Sequence, residues 1–331
     1  MTDLEIPDLL AGYRAGREGT ALRDETSHGR LWLAGEHRFD FLQRLTTNDV
    51  RLQPSQGTVT ILTSPTARIV VLFTVLAKEN GLLLLAGPAE GPKAYNSLRS
   101  QIFFGDLVTV EGKGQAMCQF GLYGPQTSHT LAAAGAGDLD TLPLFAWQEV
   151  AIAGQQVTVQ RNEGLGAPGF TLLSRATQQS ILFSALVEAG ATPLSEKAFH
   201  VLRVEAGVPA PNAELTDQVN PLEVGLRRFC NDHKGCYTGQ EIIARQITYD
   251  KATTHLVGLL LENSTTPGAT VTLGGRRIGS VSSAVHSIAL GRPIALALVR
   301  QPHDKPGTTV YVASDAEASV AEVARLPFDV P

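Results

Sequence analysis

The sequence predicts an α+β protein that ends in a small all-β domain, and three observations predict it. Helical and strand-like stretches alternate without βαβ regularity. Two apolar runs, Ile69 to Ala77 and Leu82 to Ala86, flank Glu79-Asn80-Gly81, and Asn-Gly supplies the positive φ angles of a tight antiparallel hairpin. From about His255 onward only strand-like runs separated by Gly, Pro and Ser signals remain.

Taken in order, Glu36 to Leu45 reads as a helix with Phe39, Leu42 and Leu45 on one stripe, closed by the polar Thr46-Thr47-Asn48-Asp49. Thr58 to Leu62 precedes the hairpin as a strand. Pro92 to Ile102 reads as a helix, Leu107 to Glu111 as a strand, and Cys118 to Tyr123 as a strand entering a Pro125-led helix. Ser180 to Ala189 is helical, with Gly190 just past its end. Ser195 caps a further helix that runs to Gly207. Asn220-Pro221-Leu222-Glu223 opens another, with Leu222, Leu226 and Phe229 on its apolar face. Six strands then follow, Leu256–Leu261, Thr270–Leu273, Ile278–Ser282, Ile294–Val299, Thr309–Val312 and Val320–Leu326, with Gly274-Gly275 as a hairpin turn. A boundary near residue 252 separates 1–252 from a β-barrel domain at 253–331.

At 331 residues the chain is long enough for two or three domains with a sizeable core. Hydrophobic residues make up 43% and charged residues 18%, the balance of a folded protein. The formal net charge is −5 and there is no basic block, which disfavours a dedicated DNA binder. The longest apolar run is too short to cross a bilayer, and the acidic amino terminus is unlike a secretory signal, so the expectation is a soluble cytoplasmic protein with no membrane partner. Three cysteines are too few for an all-cysteine iron-sulfur site, and no histidine spacing suits zinc, so no metal site is expected.

The chemistry concentrates around Cys236. Thr238-Gly239-Gln240-Glu241 matches a T-x-x-E capping box just before Ile242, Ile243 and Ala244, which places Cys236 ahead of a helix amino terminus and two residues from Lys234. Both settings favour thiolate, making Cys236 a candidate nucleophile, redox group or soft-metal ligand. The bland reading is a buried Gly-Cys-Tyr turn. Gly235 and Gly239 permit a sharp turn or a close ligand approach, and Tyr237 offers an aromatic wall. Cys118 and Cys230 read as structural. Arg203 and Glu205 lie two positions apart on different helix faces, so each is a candidate for a ligand or an interdomain contact, with solvated charge the commoner outcome. Asn48 is either a binding residue or a polar helix exit.

Lys234-Gly-Cys-Tyr-Thr-Gly-Gln-Glu241 resembles the K-G-C-Y-x-G-Q-E signature of the YgfZ-type tetrahydrofolate-binding proteins, and Phe41-Leu-Gln-Arg-Leu-Thr-Thr-Asn-Asp-Val50 resembles the F-L-x-x-x-x-T-N-D-V stretch of their superfamily. Leu202-Arg-Val-Glu-Ala-Gly207, Asn220-Pro-Leu-Glu223 and Arg277-Ile-Gly-Ser280 follow in matching order. The superfamily includes the glycine-cleavage T-protein, an aminomethyltransferase. The resemblance implies an aminomethyltransferase-like fold of three subdomains in a ring around a folate pocket, two in 1–252 and the last a β-barrel. It implies tetrahydrofolate or a one-carbon derivative as cofactor and folate contacts from Tyr237, Arg245, Asn48, Arg203, Glu205, Gly235 and Gly239. It further implies a role in assembly or repair of iron-sulfur enzymes such as a radical-SAM tRNA methylthiotransferase, with Cys236 and Lys234 as the chemical groups.

Two departures set the chain apart from the T-protein. The position of its essential aspartate falls on Leu72, which cannot act as acid, base or charge stabiliser. The position of its pterin-reading glutamate falls on Ala167. Whether the chain is an enzyme is therefore open. The expected function is a folate-dependent accessory protein; the alternatives are a one-carbon transferase and a non-catalytic folate-binding protein.

Overall fold

The computed structural model describes residues 9–249, 252–313 and 318–330. Its elements in chain order begin with α1 (Leu9–Glu18), β1 (Ala21–Asp24), β2 (His28–Ala34), α2 (Arg38–Leu45), β3 (Gly57–Thr63), β4 (Ile69–Lys78), β5 (Gly81–Pro88), α3 (Gly91–Arg99) and β6 (Thr109–Gly112). They continue with β7 (Met117–Tyr123), α4 (Thr127–Ala133), β8 (Trp147–Ile152), β9 (Gln155–Asn162), β10 (Gly169–Arg175), α5 (Gln179–Glu188), β11 (Thr192–Pro193), α6 (Glu196–Glu205) and α7 (Gln240–Tyr249). Six strands follow: β12 (Thr254–Leu261), β13 (Thr270–Leu273), β14 (Arg276–Ser287), β15 (Arg292–Arg300), β16 (Thr309–Val312) and β17 (Ser319–Ala324). The mixture is α+β, as the sequence predicts. No helix among the described residues is long and apolar enough to cross a membrane.

The chain divides into two compact units. The first takes in the chain through Leu62, Val70–Phe199 and the short return His233–Tyr237. Within it, one sheet has the order β11-β1-β7-β10-β9-β8 and a second the order β3-β4-β5-β2-β6. Strand alternation sends Leu82 and Leu84 of β5 into a core with Phe41, Leu42, Ala94 and Leu98 from α2 and α3, while Leu83 and Leu85 face the other way onto Trp147 and Leu173 of the first sheet. The first sheet buries Leu22, Phe120, Leu122 and Leu172 beneath Leu131 of α4 and Leu182 and Leu186 of α5. The unit is thus two sheets face to face with helices outside, the layering that lets each apolar face find a partner.

The second unit comprises Thr63–Ile69, His200–Asp232 and the chain from Thr238 on. Its six C-terminal strands close into a barrel, β12-β15-β14-β13-β16-β17. Every predicted barrel strand is present, and Gly274 and Gly275 both have positive φ, 54° and 75°, at the tip of the β13–β14 hairpin. Along β15, Ala295, Ala297 and Val299 point into the barrel, whereas Ile294 and Leu296 point out against Val204 of α6 and Phe328. Small residues inside and large ones outside suit a narrow lumen filled by side chains.

Two sequence expectations fail locally. The helix predicted from Asn220 does not form, although its capping box does: Asn220 Oδ1 accepts from the amides of Leu222 and Glu223 at 2.9 and 3.2 Å, and Glu223 Oε2 accepts from the Asn220 amide at 2.7 Å. Gly225 then takes φ 75° and ends the turn, leaving only a 3-10 turn at Arg227–Phe229. The β4–β5 hairpin is present, but Asn80 and Gly81 are not among the described residues with positive φ. Gly81 is required for another reason: a Cβ there would meet the Trp32 ring at 2.4 Å.

Candidate functional site

In the first unit the K-G-C-Y turn is anchored by its lysine. Lys234 is 7% exposed, and its Nζ donates to the carbonyls of Thr46 and Asn48, both at 2.6 Å. Thr46 is the C-cap of α2, where backbone carbonyls lack intrahelical partners and the helix dipole favours a cation. The loop that receives the lysine is itself tied down. Asn48 Nδ2 donates to Thr58 Oγ1 and the Val59 carbonyl at 3.1 and 2.8 Å, its amide donates to Thr60 Oγ1 at 2.9 Å, and its Oδ1 accepts from the Asp49 amide at 2.9 Å.

Burial pushes the Lys234 ammonium down to about 7; the nearby Asp49 carboxylate opposes the shift and Arg51 adds to it. A large fraction of the side chain is therefore neutral near neutral pH. The Tyr237 ring, also buried, lies 5.3 Å from Nζ. Between these two buried residues, Gly235 and Cys236 are exposed, and the Cys236 thiol is free. Cys118 and Cys230 are buried and are not joined in disulfides. The turn therefore presents one thiol outward from a segment pinned on both sides.

The remaining sequence-predicted residues lie in the second unit. Gly239 has φ 83°, and a Cβ there would stand 2.8 Å from the Ser64 carbonyl oxygen and 2.9 Å from Ala67 Cα. Next to it the Thr238 carbonyl accepts from Thr63 Oγ1 at 2.6 Å, so the β3–β4 loop and the start of α7 are held together. Arg245 is exposed on α7 and pairs with Glu241 one turn back at 2.8 Å.

Arg203 and Glu205 are both buried, and β14 receives both. Arg203 pairs with Glu214 at 3.1 Å and donates to Ser283 Oγ at 2.6 Å, while Glu205 accepts from Ser287 Oγ at 2.6 Å. Glu214 also accepts from Ser282 and Ser283 at 2.7 and 2.6 Å and from the Ala210 amide at 3.0 Å. This network docks the end of α6 on the barrel wall. Leu72 is half-buried on β4, and Ala167 lines a cleft of about 440 Å³ with Leu144, Arg161, Asn162 and Glu163. Among the described residues no group of three or more His, Cys, Asp or Glu side chains is placed to hold a metal ion.

Sequence reasoning missed a buried cluster on β1 and β7. The Glu25 carboxylate accepts from Arg23 at 3.2 Å, from Gln119 Nε2 at 3.1 Å and from the Tyr123 hydroxyl. Burial alone raises the Glu25 pKa, but His28, Arg23 and the donated hydrogen bonds outweigh it and hold the carboxyl below its usual range. Gly121 leaves the space these groups occupy, since a Cβ there would stand 2.6 Å from Glu25 Oε1. The i,i+2 spacing of Arg23 and Glu25 was the available signal, and it is visible only once β1 is recognised as a strand.

The profile of the GCVT N-terminal domain matches residues 7–234, and that of the glycine cleavage T-protein C-terminal barrel domain matches 255–329. The chain belongs to the glycine cleavage T-protein family. Within that family it is 32% identical over 309 residues to a chloroplastic protein of Arabidopsis thaliana that carries the name of a transferase, covering 93% of this chain and 72% of the other. It is 30% identical over 333 residues to an aminomethyltransferase of Rubrobacter xylanophilus, covering 98% and 88%. The fold matches the crystal structure of glycine cleavage system aminomethyltransferase T from Bartonella henselae with a TM-score of 0.85 at 21% identity, over 97% of this chain and 89% of that one.

Proposed function

We propose that this member of the T-protein family is a cytoplasmic tetrahydrofolate-binding accessory protein of the YgfZ type, serving assembly or repair of iron-sulfur enzymes such as a radical-SAM tRNA methylthiotransferase. The observation that carries the reading is the exposed free thiol of Cys236, held on a turn that Lys234 and Tyr237 fix by burial. An exposed thiol on a pinned backbone suits selective encounter with a sulfur or metal centre, because access and position are both controlled.

Family membership supports folate as the ligand. Arg245 fits the anionic glutamyl tail of a folate, since its exposed fork pairs with Glu241 on a solvent-facing turn and a guanidinium binds carboxylate in a bidentate way. Asn48 and Lys234 in the first unit, and Arg203 and Glu205 in the second, have polar atoms bonded to protein groups and fit as scaffolding within their own units. Bound folate supplies a carrier for one-carbon units. The chain's own residues supply the thiol, its placement and the tail contact.

A one-carbon transferase is the second reading, favoured by the aminomethyltransferases among the relatives and opposed by Leu72, whose side chain has no proton or charge to offer. The test is tetrahydrofolate titration of the wild type and of Cys236→Ala, paired with an assay of cluster-dependent tRNA methylthiolation in cells lacking the protein. Unchanged folate affinity with lost methylthiolation in Cys236→Ala is the expected result. Full restoration by Cys236→Ala overturns the chemical role, and methylene-tetrahydrofolate formed or consumed with turnover establishes the transferase reading.

A further inference from the structure

The sheet β3-β4-β5-β2-β6 of the first unit ends in an open edge at β6. In the β2–β6 ladder Ala34 is opposite Thr109 and Trp32 opposite Glu111, and the Lys113 amide donates to the Arg30 carbonyl at 2.8 Å. An antiparallel ladder bonds through alternate residues, so 109, 111 and 113 serve β2, while Val108, Val110 and Gly112 turn their amides and carbonyls outward. Among the described residues no group meets those outward donors and acceptors. Thr109, Glu111 and Gly112 are exposed, whereas the side chains of Val108 and Val110 lie on the core that α2 and α3 cover.

Just before this edge the chain presents an apolar tip. Phe103, Phe104 and Leu107 are 65%, 110% and 54% exposed. The tip is held firmly: Asp106 Oδ2 accepts from Arg44 at 2.6 Å and from the Phe103 amide at 2.8 Å, the Leu107 amide donates to His37 Nδ1 at 3.2 Å, and the Leu107 carbonyl accepts from the His37 amide at 3.3 Å. A fixed loop offers its apolar surface without a further ordering cost. Just after the edge the chain is bare and neutral. Gly112, Gly114, Gln115 and Ala116 are exposed, and a Cβ at Gly112 would meet no atom within 4 Å. Glu111 and Lys113 pair with each other at 2.7 Å, so the edge and the tip carry no net charge that would select a charged partner.

We propose that a second copy of this chain covers the edge, with β6 antiparallel to the partner's β6 about a two-fold axis at Val110. Such an axis, perpendicular to the sheet, requires an outward-facing residue to stand opposite its own copy, and Val110 is the central one. Val108 then stands opposite the partner's Gly112, and each outward pair exchanges two backbone bonds. Thr109 stands opposite the partner's Glu111, so no like charges meet directly. Leu107 falls beside the partner's Lys113 stem, and Phe103 and Phe104 reach the bare segment 114–116 of the partner. The same contacts repeat across the axis, so the edge, the tip and the bare segment of both copies are all used. The short strand and its Lys–Glu pair blunt open-ended pairing, whereas a two-fold contact closes on itself.

The test is sedimentation equilibrium of the full chain, whose mass should rise with concentration from 35.2 kDa toward twice that value. Phe104→Asp changes a side chain that stands free in solvent, and Val110→Pro removes an outward amide while sparing the bonds to β2. Each should weaken association at least about tenfold. Register is read by cross-linking in chains that also carry Cys236→Ala. Oxidised Thr109→Cys and Glu111→Cys chains should link when mixed but not singly, because a directly opposite, non-bonded pair stands about 4.5 Å apart at Cα. A monomeric mass up to roughly 100 μM overturns the proposal. So does a dimer that Phe104→Asp and Val110→Pro both leave unchanged, or a variant chain that links alone as well as in the mixture. A monomer that pellets with phosphatidylserine vesicles through Phe104 also overturns it and assigns the tip to a lipid surface.

Discussion

The Lys234 ammonium lies 2.6 Å from the Thr46 carbonyl, bridging a segment late in the chain to the end of its second helix. It donates to two backbone carbonyls, so its work on Cys236 is mechanical: it holds the turn that carries the thiol. Its electrostatic pull weakens as the amine loses its proton near neutrality.

That titration predicts a pH signature. Lys234 has a folded pKa near 7 against an unfolded value near 10.4, so between those values the unfolded chain binds more protons and stability rises with pH. Below pH 7 both states are protonated and the burial penalty is fully felt. Lys234→Met removes this term. Denaturant midpoints at several pH values should show the wild type gaining on the variant from pH 7 to about 10, and a constant difference across that window would show that the lysine titrates normally.

Thiol accessibility differs by position. Native protein treated with iodoacetamide should take up one label at Cys236, and Cys236→Ala none, because Cys118 and Cys230 are buried. Denatured protein should take up three. Intact-mass measurement before and after denaturation decides it.

The two glycines of the motif should respond unequally to alanine. Gly239→Ala forces a Cβ into the Ser64 carbonyl at a left-handed φ and should cost at least about 1–2 kcal/mol. Gly235→Ala meets no atom within 4 Å and should stay within about 0.5 kcal/mol of wild type. Paired urea titrations make the comparison.

Arg203→Met should strip the charge partner from fully buried Glu214 and destabilise the barrel unit by about 3–5 kcal/mol. Arg203→Met combined with Glu214→Gln should recover part of that loss. A variant as stable as wild type but deficient in folate binding would instead place Arg203 in the ligand site.

Legibility in the sequence followed the locality of each signal. The barrel strands were readable because alternation and glycine turns are local, and Ile294 to Val299 carries its inside-outside pattern openly. β8 and β9 escaped because their turn is Ala153-Gly154, both at positive φ, and alanine does not advertise a hairpin. The helix expected after Asn220 failed because a capping signal starts a turn but cannot carry it past Gly225. The motif itself was legible, whereas its support was not: nothing in the spacing of residue 234 reveals that its partners are the carbonyls of Thr46 and Asn48.

The return of His233–Tyr237 to the first unit has a bearing on biosynthesis. A nascent chain that has emerged only as far as Phe199 already holds both sheets of that unit, yet has neither the Cys236 thiol nor the Lys234 amine that seats its turn. The whole intervening stretch His200–Asp232 must leave the ribosome first. Prematurely terminated products therefore lack the exposed thiol, which arrives only when the scaffold that restrains it is already there.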